Sequence, residues 1–222
     1  METTFSPTIA PAPLQTRGAR RWLIIGLSIW SILVLAGLVA LERYANAPGE
    51  TRDPPRTWPI ESQITRDGRP TLLLFAHPCC ACTRATLAEL ARLAARCGDD
   101  VDLHALFIQP GGSDWSAQSS SLVQMAHAIP GVKVHDDVAR REARRFHSLT
   151  SGTCLLYDRD GQLIFHGGLT PARGQEGANA GASAIAALVH GRTSEVDRSA
   201  VFGCPLFEEN SIPTVADTCT TK

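Results

Sequence analysis

From Trp22 to Leu41 the chain reads WLIIGLSIWSILVLAGLVAL, twenty residues without a charge. As a helix rising 1.5 Å per residue, this run covers the ~30 Å hydrocarbon core of a bilayer. A buried helix of a soluble domain carries a polar face, and this run has none. A cleaved signal peptide has an apolar region of only about 7–15 residues, so the length favours an uncleaved anchor, although Ala45-Asn46-Ala47 has the small-x-small spacing of a processing site. Arg17, Arg20 and Arg21 precede the run with no acid beside them, whereas Glu42 and Arg43 after it cancel. The basic side stays in the cytoplasm. The expected arrangement is a single-pass protein of the inner (cytoplasmic) membrane, with residues 1–21 as a cytoplasmic tail, 22–41 as the transmembrane helix, and the remainder in the periplasm or outside.

Lys and Arg number 21 against 22 Asp and Glu, a formal charge of -1. Glu2 against Arg17, Arg20 and Arg21 puts +2 into residues 1–41, so the exported part carries -3. That excludes the basic surface a nucleic-acid partner requires, and no basic run is interleaved with aromatics. Pro48, Pro54, Pro55, Pro59 and Pro70 lie in residues 42–70 among mixed charges with little periodicity, which reads as a Pro-rich spacer. What is left of the 222 residues is one domain, 71–191, and a C-terminal tail, 192–222.

Within that domain Thr71 to Ala76 (TLLLFA) is a short buried strand, and Leu87, Leu90, Leu93 and Ala94 then recur at helical spacing. Val101 to Ile108 is a second strand before Pro110-Gly111-Gly112, and Ala117 to Ala128 a second helix. Together they make a parallel βαβ unit. Val132 to Val134 is a brief strand and Val138 to Phe146 an arginine-rich helix. Cys154–Tyr157 and Gln162–Phe165 flank Asp158-Arg159-Asp160-Gly161 as a β-hairpin. Ala182 to Val189 is an amphipathic closing helix. The order predicts an α/β sandwich with helices on both faces of the sheet.

Seven cysteines stand at 79, 80, 82, 97, 154, 204 and 219, three of them within four residues. Cys79-Cys80-Ala81-Cys82 contains both Cys79-x-x-Cys82 and Cys80-x-Cys82, where the first strand hands over to the following helix. Amide groups and the positive helix end there stabilise a thiolate, the species that attacks disulfides. Cys82 then resolves the mixed disulfide. With the x-x spacing Cys79 attacks and Cys80 stands by. With the x spacing Cys80 attacks and closes a tight, readily reduced ring with Cys82. Cys204, in Phe202-Gly203-Cys204-Pro205, is a candidate third thiol, since the tail is long enough to fold back. Cys154 reads as a buried core residue, and Cys97 and Cys219 carry no expected role.

Strand, cysteine turn, helix and the downstream LLYDRDGQLIFHGG hairpin resemble the thioredoxin-like fold in its membrane-anchored exported form, a three-layer sandwich with a central mixed sheet. More narrowly, FAHPCCACTRATLAEL, GGLTPARGQEG and VFGCPLF resemble the RedB-type thioredoxin-like proteins of bacteria. In that pattern the paired cysteines align with Cys80 and Cys82, the tail cysteine with Cys204, and Cys79 fills a variable slot. Two departures stand out. His77-Pro78 replaces the tryptophan that usually precedes the cysteines, and Ser151-Gly152-Thr153 occupies the place of the cis-proline that shapes substrate docking and keeps metals off the thiols.

Topology brings the loop Gly167 to Gly181 to the same end of the sheet, so Gly152, Thr153 and Arg173 form a lip at the thiols, with Arg173 raising the local positive potential. The resulting expectation is a membrane-anchored thiol:disulfide oxidoreductase, Cys79, Cys80 and Cys82 its catalytic thiols. It acts on exported protein thiols or disulfides, is recycled by a membrane redox partner, and requires no cofactor. The competing expectation is a copper or zinc metallochaperone or redox sensor, its ligands His77, Cys80, Cys82 and His166.

Overall fold

The computed structural model describes residues 17–109 and 120–207. The start of the expected second helix, Pro110-Gly111-Gly112 before it, most of the N-terminal tail and Cys219 lie outside the described residues. The chain divides into two compact units, Met1–Tyr44 and Ala45–Lys222. The first is helix α1 (Arg17–Ala45), within which Arg20–Ala45 is long and apolar enough to cross a membrane, and none of its apolar stretch is buried. A signal sequence near the N-terminus has the same length and composition.

In the second unit the elements run β1 (Thr71–Ala76), α2 (Ala81–Cys97), β2 (Asp102–Ile108), α3 (Ser121–His127), β3 (Val132–Asp137), α4 (Arg141–Arg145), β4 (Thr153–Tyr157), β5 (Leu163–Gly167) and α5 (Ala180–Val189). Among the described residues the sheet has five strands in the order β3-β2-β1-β4-β5. β1, β2 and β3 pair in parallel, while β4 runs antiparallel to both β1 and β5. β1 and β4 are buried on both faces, which is why they read as unbroken apolar runs rather than alternations.

Each strand splits its side chains between two cores. Leu72, Leu74, Cys154 and Leu156 point to the face covered by α2, α3 and α5. Leu73, Phe75, Leu155 and Tyr157 point to the other, where Ala143 of α4, Phe146, Ile64 and Leu206 meet them. Helices therefore lie on both faces, and the layers number three.

The arginine-rich helix expected over 138–146 is broken. Ala139 and Arg140 sit at φ 56° and 55°, in the left-handed region, so a single 3₁₀ turn precedes a short α4. The Asp137 carboxylate explains the break: it accepts the Glu142 and Ala143 amides at 2.9 Å each, so the helix starts afresh on that acid. The segment expected as a spacer is packed against the sheet. The Trp58 amide donates to the Gly161 carbonyl at 2.8 Å and the Leu163 amide to Arg56 at 2.7 Å, while the Tyr157 hydroxyl donates to the Pro55 carbonyl at 2.8 Å. The Trp58 ring meets Phe146 and Tyr157 edge-on at 5.2 and 5.1 Å. Proline fixes φ without needing amide partners, and such a chain lies flat over an apolar face as readily as it spans solvent.

The tail also returns. It runs beside β5, with the His166 amide donating to Asp197 at 3.1 Å and the Ser199 amide to His166 at 3.2 Å. It then crosses the sheet end, where the Ser151 amide donates to the Cys204 carbonyl at 2.8 Å and the Leu206 amide to Leu149 at 2.7 Å.

Candidate functional site

β1 stops at Ala76, and the turn His77-Pro78-Cys79-Cys80 feeds α2. Cys80 is its N-cap residue, extended at φ -81° and ψ 121°. The Cys80 amide donates to the His77 carbonyl at 3.2 Å, and the Thr83 amide to the Cys80 carbonyl at 3.0 Å. The Thr83 hydroxyl donates to that same His77 carbonyl at 3.1 Å and lies 3.1 Å from the Ser151 hydroxyl, which accepts the His77 amide at 2.9 Å. Thr83 and Ser151, neither of them a sequence candidate, thus tie the cysteine turn to the loop before β4. The signals were the place of Thr83 next to Cys82 and that of Ser151 where a cis-proline is usual.

Three sulfur atoms meet over this turn. The Cys204 thiol hydrogen-bonds the Cys80 sulfur, and Cys82 also lies within hydrogen-bonding reach of it. Cys80 is only 2% exposed, whereas Cys82 and Cys204 are half-buried. The bond from Cys204 pulls the Cys80 thiol from an ordinary value near 9 down to about 5, overcoming burial. The amides of Cys204, Cys82 and Thr83 add to that stabilisation. Cys80 makes no side-chain bond of regular capping geometry, and the two helix amides reach its sulfur from the positive end of α2. Cys204 is driven the opposite way, upward, by that same bond and by burial. Burial pushes Cys82 up as well, followed by the charge on Cys80. One thiolate and two protonated neighbours is the stable ionisation of the group.

Arg173 comes to this group from the β5–α5 loop. Its Nη1 donates to the Gly203 carbonyl at 2.7 Å, and its charge favours ionisation of both Cys82 and Cys204. The Gly174 amide faces the Cys82 sulfur. Gly152 holds φ at +94° and donates its amide to the Phe75 carbonyl at 2.8 Å; the Phe202 carbonyl and Val201 lie over its open side. Thr153 opens β4, its hydroxyl donating to the Thr150 carbonyl at 2.6 Å. The tail thus covers this part of the expected lip.

Cys79 is disulfide-bonded. The His77 ring accepts the Cys79 amide at Nδ1, at 3.1 Å. His166 stands elsewhere: it pairs with Leu155, on the sheet face opposite α2, and borders a cavity with Arg52 and Arg198. The four residues expected as metal ligands are therefore not brought together, and among the described residues no group of three or more His, Cys, Asp and Glu is disposed to hold a metal ion. Cys154 and Cys97 are buried thiols held protonated by that burial.

Sequence reading missed a second polar cluster, on β2 and β3. His104 Nε2 lies 2.9 Å from Asp102, its Nδ1 lies 2.9 Å from His135 Nε2, and Lys133 donates to Asp102 at 2.9 Å. The alternation in VDLHALFI was its one signal.

No family model and no curated protein matches this sequence. Solved structures do. An uncharacterized conserved protein of Geobacillus kaustophilus is 18% identical with a TM-score of 0.52, over 75% of this chain and 94% of its own. The exposed lipoprotein thioredoxin Etrx1 of Streptococcus pneumoniae is 17% identical at TM-score 0.41, over 56% of this chain and 85% of its own. The fold is thioredoxin-like. Bradyrhizobium japonicum ScoI, solved with copper bound, is 18% identical at TM-score 0.35, over 54% of this chain and 83% of its own. In this thioredoxin-like sheet the sulfur cluster occupies the junction of the central strand β1 with α2, closed on one side by the β5–α5 loop and on the other by the returning tail.

Proposed function

We propose that the chain is a membrane-anchored thiol:disulfide oxidoreductase of the RedB-type, acting on exported protein thiols or disulfides. Helix α1 holds it in the inner membrane with the sheet domain outside the cytoplasm, and a membrane redox partner recycles it. The observation that carries the reading is the Cys80 sulfur at the N-cap of α2, its pKa drawn down to about 5, with the Cys82 and Cys204 thiols within bonding reach. In the forward direction the Cys80 thiolate attacks a substrate disulfide, one substrate sulfur leaves as thiolate, and a neighbouring thiol of the cluster displaces the second. The substrate gains two electrons and two protons, and the protein is left with one disulfide. Run backwards, the same exchange oxidises a substrate dithiol. Arg173 keeps the group positive enough for the second thiol to ionise.

A copper(I) or zinc carrier is the second reading: Cys80, Cys82 and Cys204 are soft donors, but they would have to shift to enclose an ion, since as they stand no group of three among the described residues is disposed to hold one. The deciding experiment uses the full chain in detergent. Reduced protein incubated with glutathione disulfide and then with dithiothreitol gains and loses reversibly one disulfide beyond the one that Cys79 makes. Cys80→Ser abolishes that exchange, while Cys79→Ser retains it. Unchanged thiol content, together with one copper or zinc per chain that survives dialysis and is lost in Cys80→Ser, would replace this reading by the metal one.

A further inference from the structure

The cluster holds one more thiol than a single exchange needs, and geometry distinguishes the two protonated ones. Cys80 is the extended N-cap of α2 and Cys82 lies in its first turn, so their sulfurs are within reach, but a disulfide between them would close a tight ring over the single residue Ala81. Cys204 comes from a separate chain segment. Its thiol already meets the Cys80 sulfur, and its carbonyl is held by the Ser151 amide at 2.8 Å. Pro205 bridges to Thr150, and the Gly203 carbonyl is held by Arg173 at 2.7 Å. Gly203 lies so close to the Ser151 carbonyl that a Cβ there would collide with it. The tail is fitted over the site, not laid near it.

We infer that Cys204 is the resolving thiol: the disulfide produced in turnover joins Cys80 to Cys204 and pins the C-terminal tail across the site, while Cys82 stays a thiol. This rests on the thiol-exchange reading above. The Cys80 thiolate attacks a disulfide R–S–S–R′, forming Cys80–S–S–R and expelling R′S⁻, which takes the proton of the Cys204 thiol. The Cys204 thiolate then attacks the Cys80 sulfur, forming Cys80–S–S–Cys204 and expelling RS⁻. Two electrons pass to the substrate, which leaves as two thiols once RS⁻ is protonated from solvent. Timing follows from charge. What holds Cys204 protonated is first its bond to the Cys80 sulfur, and that hold disappears once Cys80 is in a mixed disulfide. Cys82 is held protonated first by burial, which the mixed disulfide does not relieve.

The test uses the full chain in detergent and glutathione disulfide as the probe. Reduced protein is exposed to the probe, quenched with N-ethylmaleimide in acid, and cut with trypsin and a glutamate-specific protease, which separates Cys204 from Cys219 at Glu208-Glu209. A Cys80–Cys204 linked peptide pair is expected, absent in Cys80→Ser. The Cys80–glutathione adduct should persist about tenfold longer in Cys204→Ala and clear near the wild-type rate in Cys82→Ala. Circular dichroism checks that each variant is folded. A Cys80–Cys82 link with Cys204 alkylated, or persistence in Cys82→Ala instead, overturns the assignment of Cys204 and leaves thiol exchange standing. Absence of any adduct at Cys80 in wild type and both alanine variants removes thiol exchange and this inference together.

Discussion

Cys80 carries a negative charge in a place almost closed to water, and three kinds of group keep it there: a thiol donor, backbone amides and a helix start. Of these the Cys204 thiol contributes most. Cys204→Ala removes that donor and leaves the amides of residue 204, Cys82 and Thr83, so the Cys80 pKa should climb from about 5 toward its ordinary value. The pH dependence of its iodoacetamide alkylation reads this directly, as a profile moved to higher pH. The same shift enters stability. A thiol whose folded pKa lies below its unfolded value stabilises the fold fully above the unfolded value and loses that contribution as pH falls through the folded one. The reduced protein should therefore need more urea to unfold at pH 8 than at pH 5, the gain building between about 5 and about 9. Oxidation of Cys80 should flatten the difference. That Cys80 and Cys82 matter was legible locally, from a strand ending beside a helix start. That Cys204 sets the charge on Cys80 was not, because their contact joins segments more than a hundred residues apart and depends on how the tail crosses the sheet.

Between the residues and the molecule lie two elements whose fit can be tested. The tail is one. Gly203→Ala places a methyl group against the Ser151 carbonyl, so segment 203–206 must lift away from the β4 loop. Cys80 should then alkylate faster near pH 7 than its pKa alone allows, since exposure rises, and the disulfide to Cys204 should form more slowly. The β2–β3 pair is the other. Burial lowers the His104 pKa despite Asp102, and holds the imidazole neutral. Burial resists the charge on Asp102 too, but hydrogen bonds from Lys133 and His104 hold its carboxyl below the usual range. A histidine with a lowered folded pKa loses stability as pH falls below about 6.5, because the unfolded chain takes up the proton first. His104→Gln should reduce the slope of melting temperature between pH 7 and pH 5, measured on oxidised protein so that Cys80 does not contribute. Strand periods located β2, but nothing in them showed that Asp102 and His104 are buried; there they bond one another, Lys133 and His135.

At the scale of the whole molecule, the second face of the sheet is covered by α4 together with extended chain from both ends. Residues 49–64 and 206–207 supply cover that one short helix cannot. Trp58→Ala, which removes a ring packed between Phe146 and Tyr157, should cost about 3 kcal/mol in urea unfolding. A fragment starting at residue 46 should melt cooperatively, whereas one starting at residue 71 exposes Tyr157 and Phe146 and should be insoluble or bind a hydrophobic dye. The strands, the hairpin and the closing helix were readable from periodicity, since each follows from which side chains a strand or helix must bury. The proline-rich segment was not, because prolines mark unpaired backbone without saying whether solvent or an apolar face lies beneath.

The crossing of the sheet end by residues 203–206 also fixes a sequence in time. A ribosome delivers β1 and the cysteine turn well over a hundred residues before Cys204, so throughout synthesis the nascent chain carries a cysteine pair that nothing yet shields. Its early sulfurs are then ordinary, slow thiols, and they sharpen into a reactive centre only when the last-made stretch arrives, which spares them from wrong partners on the way.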